Sequence, residues 1–370
     1  MKFTCEKNAL VSAVSVASRT VAQKSTIPAL EGIYIRAGVK LTLSGYNLET
    51  GITISVDAEI QQTGACIMPS RLFFDIIRKL PDDTVSISVD EKFKVSIRGG
   101  ISSFTITAMS SEDYPELPEV ESDKGISLPQ NELKAMIGGT SFAVSENQAR
   151  PIHTGCLFEV EDTSITVVAV DGYRLALRRW KSEEPIGRTL KFVVPATALK
   201  EAEKILGDTD DPCTFFLGSK HILFTIGEAT LVCRLLEGEF LDWRRVLPQN
   251  QPVKLAVNVA KMTDSIERVG LIISEKLKSP VRCKFGENTA DFRSVSTIGE
   301  AHDVCQIAGD GQDMEIGFNC RYLLDALRAI PDAECSLELI NGLSPIVMNP
   351  CDGSERYSYM VLPVRLKAGE

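Results

Sequence analysis

Cysteine and histidine, which often bind metals or catalyse reactions, are scattered along this sequence and do not cluster. It has ten cysteines, with no C-x-x-C pair, and three histidines: His153, His221 and His302. His153 and Cys156 have a spacing that could hold zinc, but they adjoin an apolar run ending at Phe158, so we expect both to pack in the core. Phosphate-loop, dinucleotide-binding, zinc-protease and serine-hydrolase motifs are missing. The sequence therefore contains none of these catalytic or cofactor-binding motifs, and we predict no metal site from its histidines.

One short segment has the composition of a recognition site. Asp171-Gly172 stands between two apolar runs, which is a strong signal for a hairpin turn. Such a turn would expose Tyr173 and Arg174 beside Leu175, and aromatic, cationic and apolar side chains together are favoured at binding hot spots. A plain turn without a binding role is the alternative.

A second segment, Glu237 to Pro248, combines aromatic residues with two arginines and shows no clear period. Its apolar content is unusual for a linker. The segment either packs as a strap between two domains or lines a groove that receives a partner.

Length and composition are those of an ordinary globular protein. The 370 residues are 44% hydrophobic and 24% charged, which predicts two or three domains and excludes disordered and disulfide-rich classes. No apolar run reaches the ~18 residues of a membrane-spanning helix, and the first residues lack the apolar stretch of a secretory signal. With scattered cysteines and no glycosylation sequon, the sequence predicts a cytoplasmic protein.

Three copies of one unit fill the chain, each about 123 residues long. Each copy begins with a short alternating strand, followed by an apolar stripe with helical spacing that predicts a leading helix. The corresponding stripe positions are Leu10, Val14, Ala17 and Val21; Leu133, Ile137, Thr140 and Val144; and Met262, Ile266, Val269 and Ile273.

A second helix recurs in each copy and is predicted over 69–80, 195–206 and 319–330. Alternating runs between and after the helices predict short antiparallel strands, and Leu117-Pro118 and Leu247-Pro248 mark the linkers. The predicted fold class is α+β, with two helices packed on antiparallel sheets in each of three similar domains: 1–124, 125–252 and 253–370.

Charge is distributed unevenly along the copies. The 50 acidic and 40 basic residues give a net charge of -10, which argues against a general affinity for nucleic acid. Lysines and arginines nevertheless collect in the predicted helices, Arg19 and Lys24 at the end of the first among them. Acidic residues collect in linkers such as 112–123. A basic face for a polyanion and an ordinary solvated helix face explain this bias equally well.

The whole chain resembles a known family, the bacterial sliding clamp, which is the β subunit of DNA polymerase III. The resemblance rests on five motifs in the family's order: Met1 to Thr4, Asp171 to Ala176, Gly238 to Pro248, Met314 to Asn319 and Leu362 to Leu366. It implies a head-to-tail homodimeric ring of six domains, with helices around a central hole. Twelve helices spaced about 9 Å apart would leave an opening of roughly 24 Å, wide enough for B-form DNA.

The resemblance implies a function without catalysis or cofactor. A ring around double-stranded DNA would tether the replicative DNA polymerase, the clamp loader and repair proteins through short peptide motifs. It would confer processivity in chromosomal replication, because confinement replaces tight phosphate contacts. Two alternatives stay open: an enzyme with its site around Asp171, Arg174 and Arg245, and a scaffold that does not bind DNA.

The resemblance also assigns residues to three surfaces. The implied partner-peptide pocket consists of Arg150, His153, Gly172, Tyr173, Arg174, Leu175, Leu241, Arg245, Val246, Asn319, Tyr322, Met360, Leu362, Pro363 and Arg365. The implied DNA-facing residues are Lys24, Asn147, Lys276, Lys278 and Arg282. The implied dimer interface joins Phe104 and Ile106 to Leu271 and Ile272.

Overall fold

The structure of the chain is a computed structural model, and it describes residues 1–121, 124–273 and 279–366. Within these ranges no helix is long and apolar enough to cross a membrane. The same ranges contain six α-helices: α1 (Lys7–Ala17), α2 (Ser70–Lys79), α3 (Gln130–Gly138), α4 (Ala196–Ile205), α5 (Val259–Gly270) and α6 (Cys320–Arg328). Short 3-10 helices occupy Ser18–Thr20, Pro28–Glu31, Ser111–Asp113, Ser141–Ala143, Pro151–Thr154 and Trp243–Arg245.

All strand pairs in the described residues are antiparallel. In chain order the strands are β1 (Lys2–Glu6), β2 (Gly32–Ala37), β3 (Leu41–Tyr46), β4 (Thr50–Val56), β5 (Glu59–Gln62), β6 (Gly64–Pro69), β7 (Thr84–Val89), β8 (Lys94–Gly99), β9 (Ser102–Thr107), β10 (Ile126–Pro129), β11 (Gly155–Glu161), β12 (Ser164–Val170), β13 (Arg174–Lys181), β14 (Leu190–Pro195), β15 (Pro212–Leu217), β16 (His221–Ile226), β17 (Ala229–Arg234), β18 (Val253–Asn258), β19 (Val281–Ser296), β20 (Gly299–Phe318), β21 (Glu334–Leu339), β22 (Ile346–Pro350) and β23 (Tyr357–Val361). The sheet orders are β5-β1-β7-β8-β9, β10-β15-β16-β17-β4-β3-β2-β6, and β14-β11-β12-β13-β23-β22-β21-β18-β20-β19.

The threefold repeat is confirmed by the order of these elements. Each copy runs from a short strand into a leading helix, then through a group of strands into a second helix and a further group of strands. The second helices α2, α4 and α6 lie within the predicted ranges. The strands predicted in the first copy are present as β2 to β4 and β7 to β9.

The leading helices are shorter than the apolar stripes predicted. Each ends before the last stripe position, so the expectation that Arg19 and Lys24 close the first helix is wrong. Hydroxyl side chains explain two of these ends. The Ser18 hydroxyl donates to the Val14 carbonyl (2.6 Å), and the Thr140 hydroxyl donates to that of Met136 (2.7 Å). Bonds of this kind compete with the backbone ladder, and in both copies the chain continues into a 3-10 turn.

The described chain divides into two compact units. One comprises Met1–Lys134 with Thr197–Leu235, and the other comprises Ala135–Ala196 with Leu236–Glu370. The second copy contributes to both units because its strands continue the sheets of its neighbours: β17 pairs with β4, and β13 pairs with β23.

Each unit has its own apolar core. In the first unit, α1 packs beside α2, and Leu10 and Phe73 are buried with strand residues such as Ile33 and Val85. In the second unit, a cluster around Leu175 and Met360 covers one face of the sheet. Since burying one apolar side chain contributes about 1.5–3 kcal/mol, clusters of this size can fold each unit.

Candidate partner-binding site

The predicted pocket contains an apolar floor at the joint between the second and third copies. Leu175 and Met360 lie opposite each other in the β13–β23 pair, and both are buried. Val246 and Leu362 pack against the same cluster while remaining partly exposed. Four of the predicted pocket residues therefore share one apolar surface that is open at its edge.

The segment 237–248, called the strap below, packs against the sheet, which is one of the two interpretations of the sequence. Phe240 and Trp243 are buried against one face of the sheet. The Trp243 indole N–H donates to the Glu159 carboxylate (3.1 Å), which also accepts from Arg244 (2.8 Å) and pairs with Lys191 (3.2 Å). A nearly buried carboxylate with three donors anchors the strap firmly.

Two predicted pocket residues lie on the outer side of this strap. Leu241 is partly exposed, and Arg245 is almost fully exposed in an ion pair with Asp242 (3.0 Å). Side chains this free can adjust to a partner at small energetic cost, because surface pairs of this kind contribute about 1 kcal/mol or less.

The predicted hairpin turn joins β12 to β13. The Asp171 carboxylate accepts from the backbone N–H groups of Tyr173 (2.9 Å) and Arg174 (3.0 Å), which holds the turn closed. Gly172 has a φ of 90°, a conformation that side-chain-bearing residues rarely adopt. The carbonyl of Tyr173 then accepts from the N–H of Leu362 (2.8 Å), so the turn is tied to the C-terminal wall of the pocket.

Arg174 is enclosed, in contrast to the exposed rim position that the sequence predicted. Burial within the joint explains the difference. Its guanidinium donates to Asp171 (3.0 Å), to Asp325 of α6 (2.6 Å) and to the carbonyl of Phe142 (2.6 Å). It also stacks over the ring of Tyr322, 4.4 Å from the centroid. An arginine with three acceptors and a ring contact is a rigid connection between copies.

Tyr173 and Tyr322 form an aromatic shelf beside this arginine, with ring centroids 6.1 Å apart and 28° between their planes. Tyr173 is 62% exposed, as predicted. Asn319 caps α6 by accepting from the N–H of Tyr322 (3.3 Å), which fixes the helix start under the shelf. Burial, together with the negative charge of Asp171, raises the pKa of the Tyr322 phenol, so this side chain stays neutral.

His153 lies in the 3-10 turn Pro151–Thr154 and stacks on Phe240 of the strap, with ring centroids 5.2 Å apart. Burial and the nearby charge of Arg150 lower the pKa of His153 below its usual 6.5. Arg150 itself is exposed. In the described residues no group of three His, Cys, Asp or Glu side chains is placed to hold a metal ion.

The remaining pocket residues belong to the C-terminal segment. Pro363 is partly buried and Arg365 is exposed. Between them Val364 forms a bridge to Gly317 of β20 through a 2.8 Å N–H···O bond. This bond holds the segment against the third copy, so Leu362 and Pro363 have a fixed path along the pocket.

The predicted DNA-facing residues differ in setting. Lys24 and Asn147 are exposed in loops that follow the leading helices. Arg282 lies in β19, partly buried, and pairs with Glu315 (3.3 Å). Lys276 and Lys278 lie outside the described residues.

The four predicted interface residues lie on two exposed features. Phe104 and Ile106 belong to β9, the edge strand of its sheet, and Phe104 is 40% exposed. Leu271 follows α5 and is 82% exposed, and Ile272 beside it is partly exposed.

Sequence reasoning missed the residues that hold the pocket together from behind. Glu159, Phe142 and Asp325 anchor the strap and Arg174, yet they belong to no motif and are far apart in the chain. Asp325 had one available signal: it stands on α6 three residues after Tyr322 and so shares a helix face with it.

Three similar α+β domains, joined by sheets that run from one copy into the next, define a protein of the DNA clamp class. Comparisons with known proteins agree along the whole length. Models of the DNA polymerase III beta subunit match its N-terminal domain at residues 1–118, its central domain at 127–242 and its C-terminal domain at 244–365. The chain belongs to this family of sliding clamps, which are non-catalytic processivity factors.

Relatives and solved structures support the assignment. The beta sliding clamp of Staphylococcus epidermidis is 32% identical over 381 residues, and that of Staphylococcus aureus is 31% identical over 378, each alignment covering 99% of both chains. The sliding clamp of Bacillus subtilis superimposes with a TM-score of 0.94 at 30% identity, and that of Pseudomonas aeruginosa bound to griselimycin with 0.92 at 28% identity. Both structural matches cover 99% of this chain and 100% of the other.

Proposed function

We propose that two copies of this chain close head to tail into a ring around duplex DNA, and that the ring tethers the replicative polymerase, the clamp loader and repair proteins. A single observation carries the ring. Two joints between copies are made within the chain by the same strand pairing, and in the described residues the two strands that would make a third joint, β9 and β20, each keep an unpaired edge.

The two internal joints match in detail. Across the first joint the N–H of Arg234 donates to the carbonyl of Glu49 (3.1 Å). Across the second, at the corresponding place, the N–H of Leu362 donates to the carbonyl of Tyr173 (2.8 Å). The pairs β4–β17 and β13–β23 are therefore antiparallel in the same register.

The same type of strand pairing identifies the two strands that would form a third joint. β9 corresponds to β17 and β23, and β8 is its one partner strand in the described residues. β20 corresponds to β4 and β13, because it follows β19 as β4 follows β3. Among the described strands, the part of β20 from Gly299 to Gln306 pairs with β19 alone. Unpaired edges of this kind readily pair with another chain. Two copies would then bury Phe104 and Ile106 of one against Leu271 and Ile272 of the other.

A ring of this kind needs only weak contact with DNA. In the sequence, Lys24, Asn147 and Lys276 stand at corresponding positions of the three copies, and the third copy adds Lys278 and Arg282. Non-specific phosphate contacts with dissociation constants of about 10⁻⁴ to 10⁻⁶ M allow sliding. The net charge of -10 discourages binding on the outside.

The release of the protein from circular and from linear DNA tests whether it encircles the duplex. Rings loaded on a nicked circular plasmid should stay bound, and cutting the plasmid once should release them, because a ring leaves through a free end. Equal retention before and after cutting would contradict encirclement. A scaffold without a DNA role would bind neither form.

We propose that the apolar floor and aromatic shelf receive short peptide segments of partners. The griselimycin-bound clamp of Pseudomonas aeruginosa supports a ligand site on this fold and supplies a probe. Val246→Asp should weaken griselimycin binding at least about tenfold in calorimetry, because it places a charge at the apolar edge. Val39→Asp, at a fully exposed turn position, is the matched control and should bind like the wild type.

The proposed domain boundaries are 1–124, 125–252 and 253–370. Two contacts support assigning the strap to the second domain: Trp243 donates to Glu159 of β11, and Phe240 stacks on His153. We place the protein in the cytoplasm, where a bacterial chromosome is replicated. Fractionation of cells should recover it with the soluble and DNA-bound material.

A further inference from the structure

We propose that Asp325 is a positioning residue of the partner-binding site: it holds the Arg174 guanidinium and thereby sets the Tyr173–Tyr322 shelf. This inference rests on the function proposed for that site. Asp325 is not part of the pocket surface assigned above, and it acts through Arg174.

The geometry around Arg174 makes Asp325 the link to the third copy. Two of the acceptors, Asp171 and the carbonyl of Phe142, belong to the second copy, and Asp325 is the acceptor on α6. Its oxygen is 2.6 Å from the guanidinium, the short distance of a charge-assisted bond. Asp325 therefore ties the turn that carries Tyr173 to the helix that carries Tyr322.

The guanidinium plane transmits this constraint to the rings. The central carbon of the guanidinium lies over both rings, 4.4 Å from the centroid of Tyr322 and 5.4 Å from that of Phe142. The Arg174 side chain is only 7% exposed, so solvent weakens these contacts little. Without Asp325 the cation would be left nearly buried with one carboxylate, which favours its movement toward water. Such a movement would remove the support under Tyr322.

The charges around Asp325 are balanced. Arg174 faces it from β13, and Arg321 approaches the same oxygen from one turn earlier on α6, at 3.9 Å. Asp171 supplies the second carboxylate of the cluster. Replacing Asp325 by an amide of the same shape therefore removes one of two negative charges and leaves both cations in place.

A comparison of the two joints shows which contacts are present only in the second. In the first joint, Arg19 stands at the place of Phe142 and Glu201 at the place of Asp325. Arg19 and Glu201 form an ion pair of 3.5 Å. Thr50 replaces Arg174 there, and Glu49 and Ala198 replace the two tyrosines. An ion pair across a joint is thus a shared feature, whereas an aromatic shelf on the cation is present in the second joint alone. This difference points to a binding role for the Asp325 pair beyond cohesion.

Calorimetry with griselimycin on the full-length chain tests the proposal. Asp325→Asn should weaken binding about tenfold, and Asp325→Glu, which restores the carboxylate, should recover most of the loss. Glu201→Gln is the matched control, because it removes the ion pair of the first joint, and its affinity should equal that of the wild type. On a Tyr322→Ala background, Asp325→Asn should add little, since the shelf it supports is already gone.

The outcomes separate this inference from the proposed function. If the wild type does not bind griselimycin, or Val246→Asp binds as tightly as the wild type, the site itself is misplaced. If both behave as expected but Asp325→Asn stays within about twofold of the wild type, Asp325 has no positioning role. Thermal unfolding of Asp325→Asn and Glu201→Gln, run in parallel, checks folding. Equal losses of affinity in these two variants would also overturn the proposal, because the effect would then be general cohesion.

Discussion

Phe142 and Tyr359 contact each other at the joint between the second and third copies, with ring centroids 5.9 Å apart and planes inclined by 59°. Phe142 follows the leading helix of its copy, and Tyr359 lies in the last strand of the next. The residues at the corresponding places for a third joint are Leu271 and Phe104. Both are exposed in the single chain. We propose that this contact within the chain is a template for the contact between two chains.

This template predicts that Leu271 is needed for the dimer. Leu271→Asp should convert the protein to monomers at micromolar concentration, because a carboxylate would be buried against Phe104 of the other copy. Light scattering after gel filtration measures the mass. Leu343→Asp alters a leucine of similar exposure, 79%, in a different loop and should leave the dimer intact. An unchanged mass for Leu271→Asp would move the interface elsewhere.

The contacts of Glu159 predict that its carboxylate stabilises the strap. Glu159→Ala should destabilise the fold by about 2–4 kcal/mol, because it leaves the buried indole N–H of Trp243 without an acceptor. In a Trp180→Phe background, the fluorescence of Trp243 should shift to longer wavelength as the strap loosens. Glu161→Ala is the control, since this carboxylate is more exposed and pairs with Arg244 at 3.4 Å. Equal unfolding free energies for the two variants would show that the strap has other anchors.

The lowered pKa of His153 predicts that the free energy of unfolding depends on pH. Because burial lowers the pKa of His153 in the folded state, the unfolded chain takes up the proton more readily. The stability contributed by the neutral ring is complete above the ordinary pKa of 6.5 and declines as the pH falls below it. Urea unfolding at about pH 7.5 and about pH 5.5 should therefore show a larger loss for the wild type than for His153→Gln.

His221 provides the comparison for that experiment. Burial, with Arg234 and Lys220 nearby, also lowers the pKa of His221, so the His153→Gln variant should retain part of the pH dependence of the wild type. His221→Gln should remove the remaining part without affecting griselimycin binding. If the pH dependence of His153→Gln equals that of the wild type, His153 is not held neutral by its site.

The three copies differ in the chemistry of one sheet face, and this difference fits the proposal of an apolar binding site at one joint only. Corresponding cross-strand pairs on that face are Ser44 with Thr53, Val168 with Leu177, and Arg293 with His302. In the first copy the face bears hydroxyls, and Tyr114 of the linker donates to the Ser44 carbonyl. In the third it bears an ion-paired cluster, in which Asp291 pairs with His302 at 2.6 Å. The second alone is apolar.

The sequence predicted the repeat and the second helices because apolar periodicity reports burial on one face of an element. Helix ends were less predictable: the stripe continued past Ala17 and Thr140, where the chain had already turned into a 3-10 segment. The hairpin at Asp171 was predictable since Asp-Gly favours it. Its neighbour Arg174 was misplaced on the rim, because its acceptors Asp325 and Phe142 are distant in sequence and only the fold brings them together.

Gly51 provides a last test, because it occupies in the first joint the place that Leu175 occupies in the second. A Cβ at Gly51 would lie 2.7 Å from Cδ2 of Leu117 and 3.1 Å from Cδ2 of Tyr46, so the linker is drawn into the space that a side chain would need. Gly51→Ala should therefore destabilise the fold by about 1–3 kcal/mol through overpacking. Gly172→Ala meets no atom within 4 Å and should cost about 1 kcal/mol, through its φ of 90° alone. Urea unfolding compares the two variants, and a larger loss for Gly172→Ala would show that the first joint is loosely packed and open to a ligand.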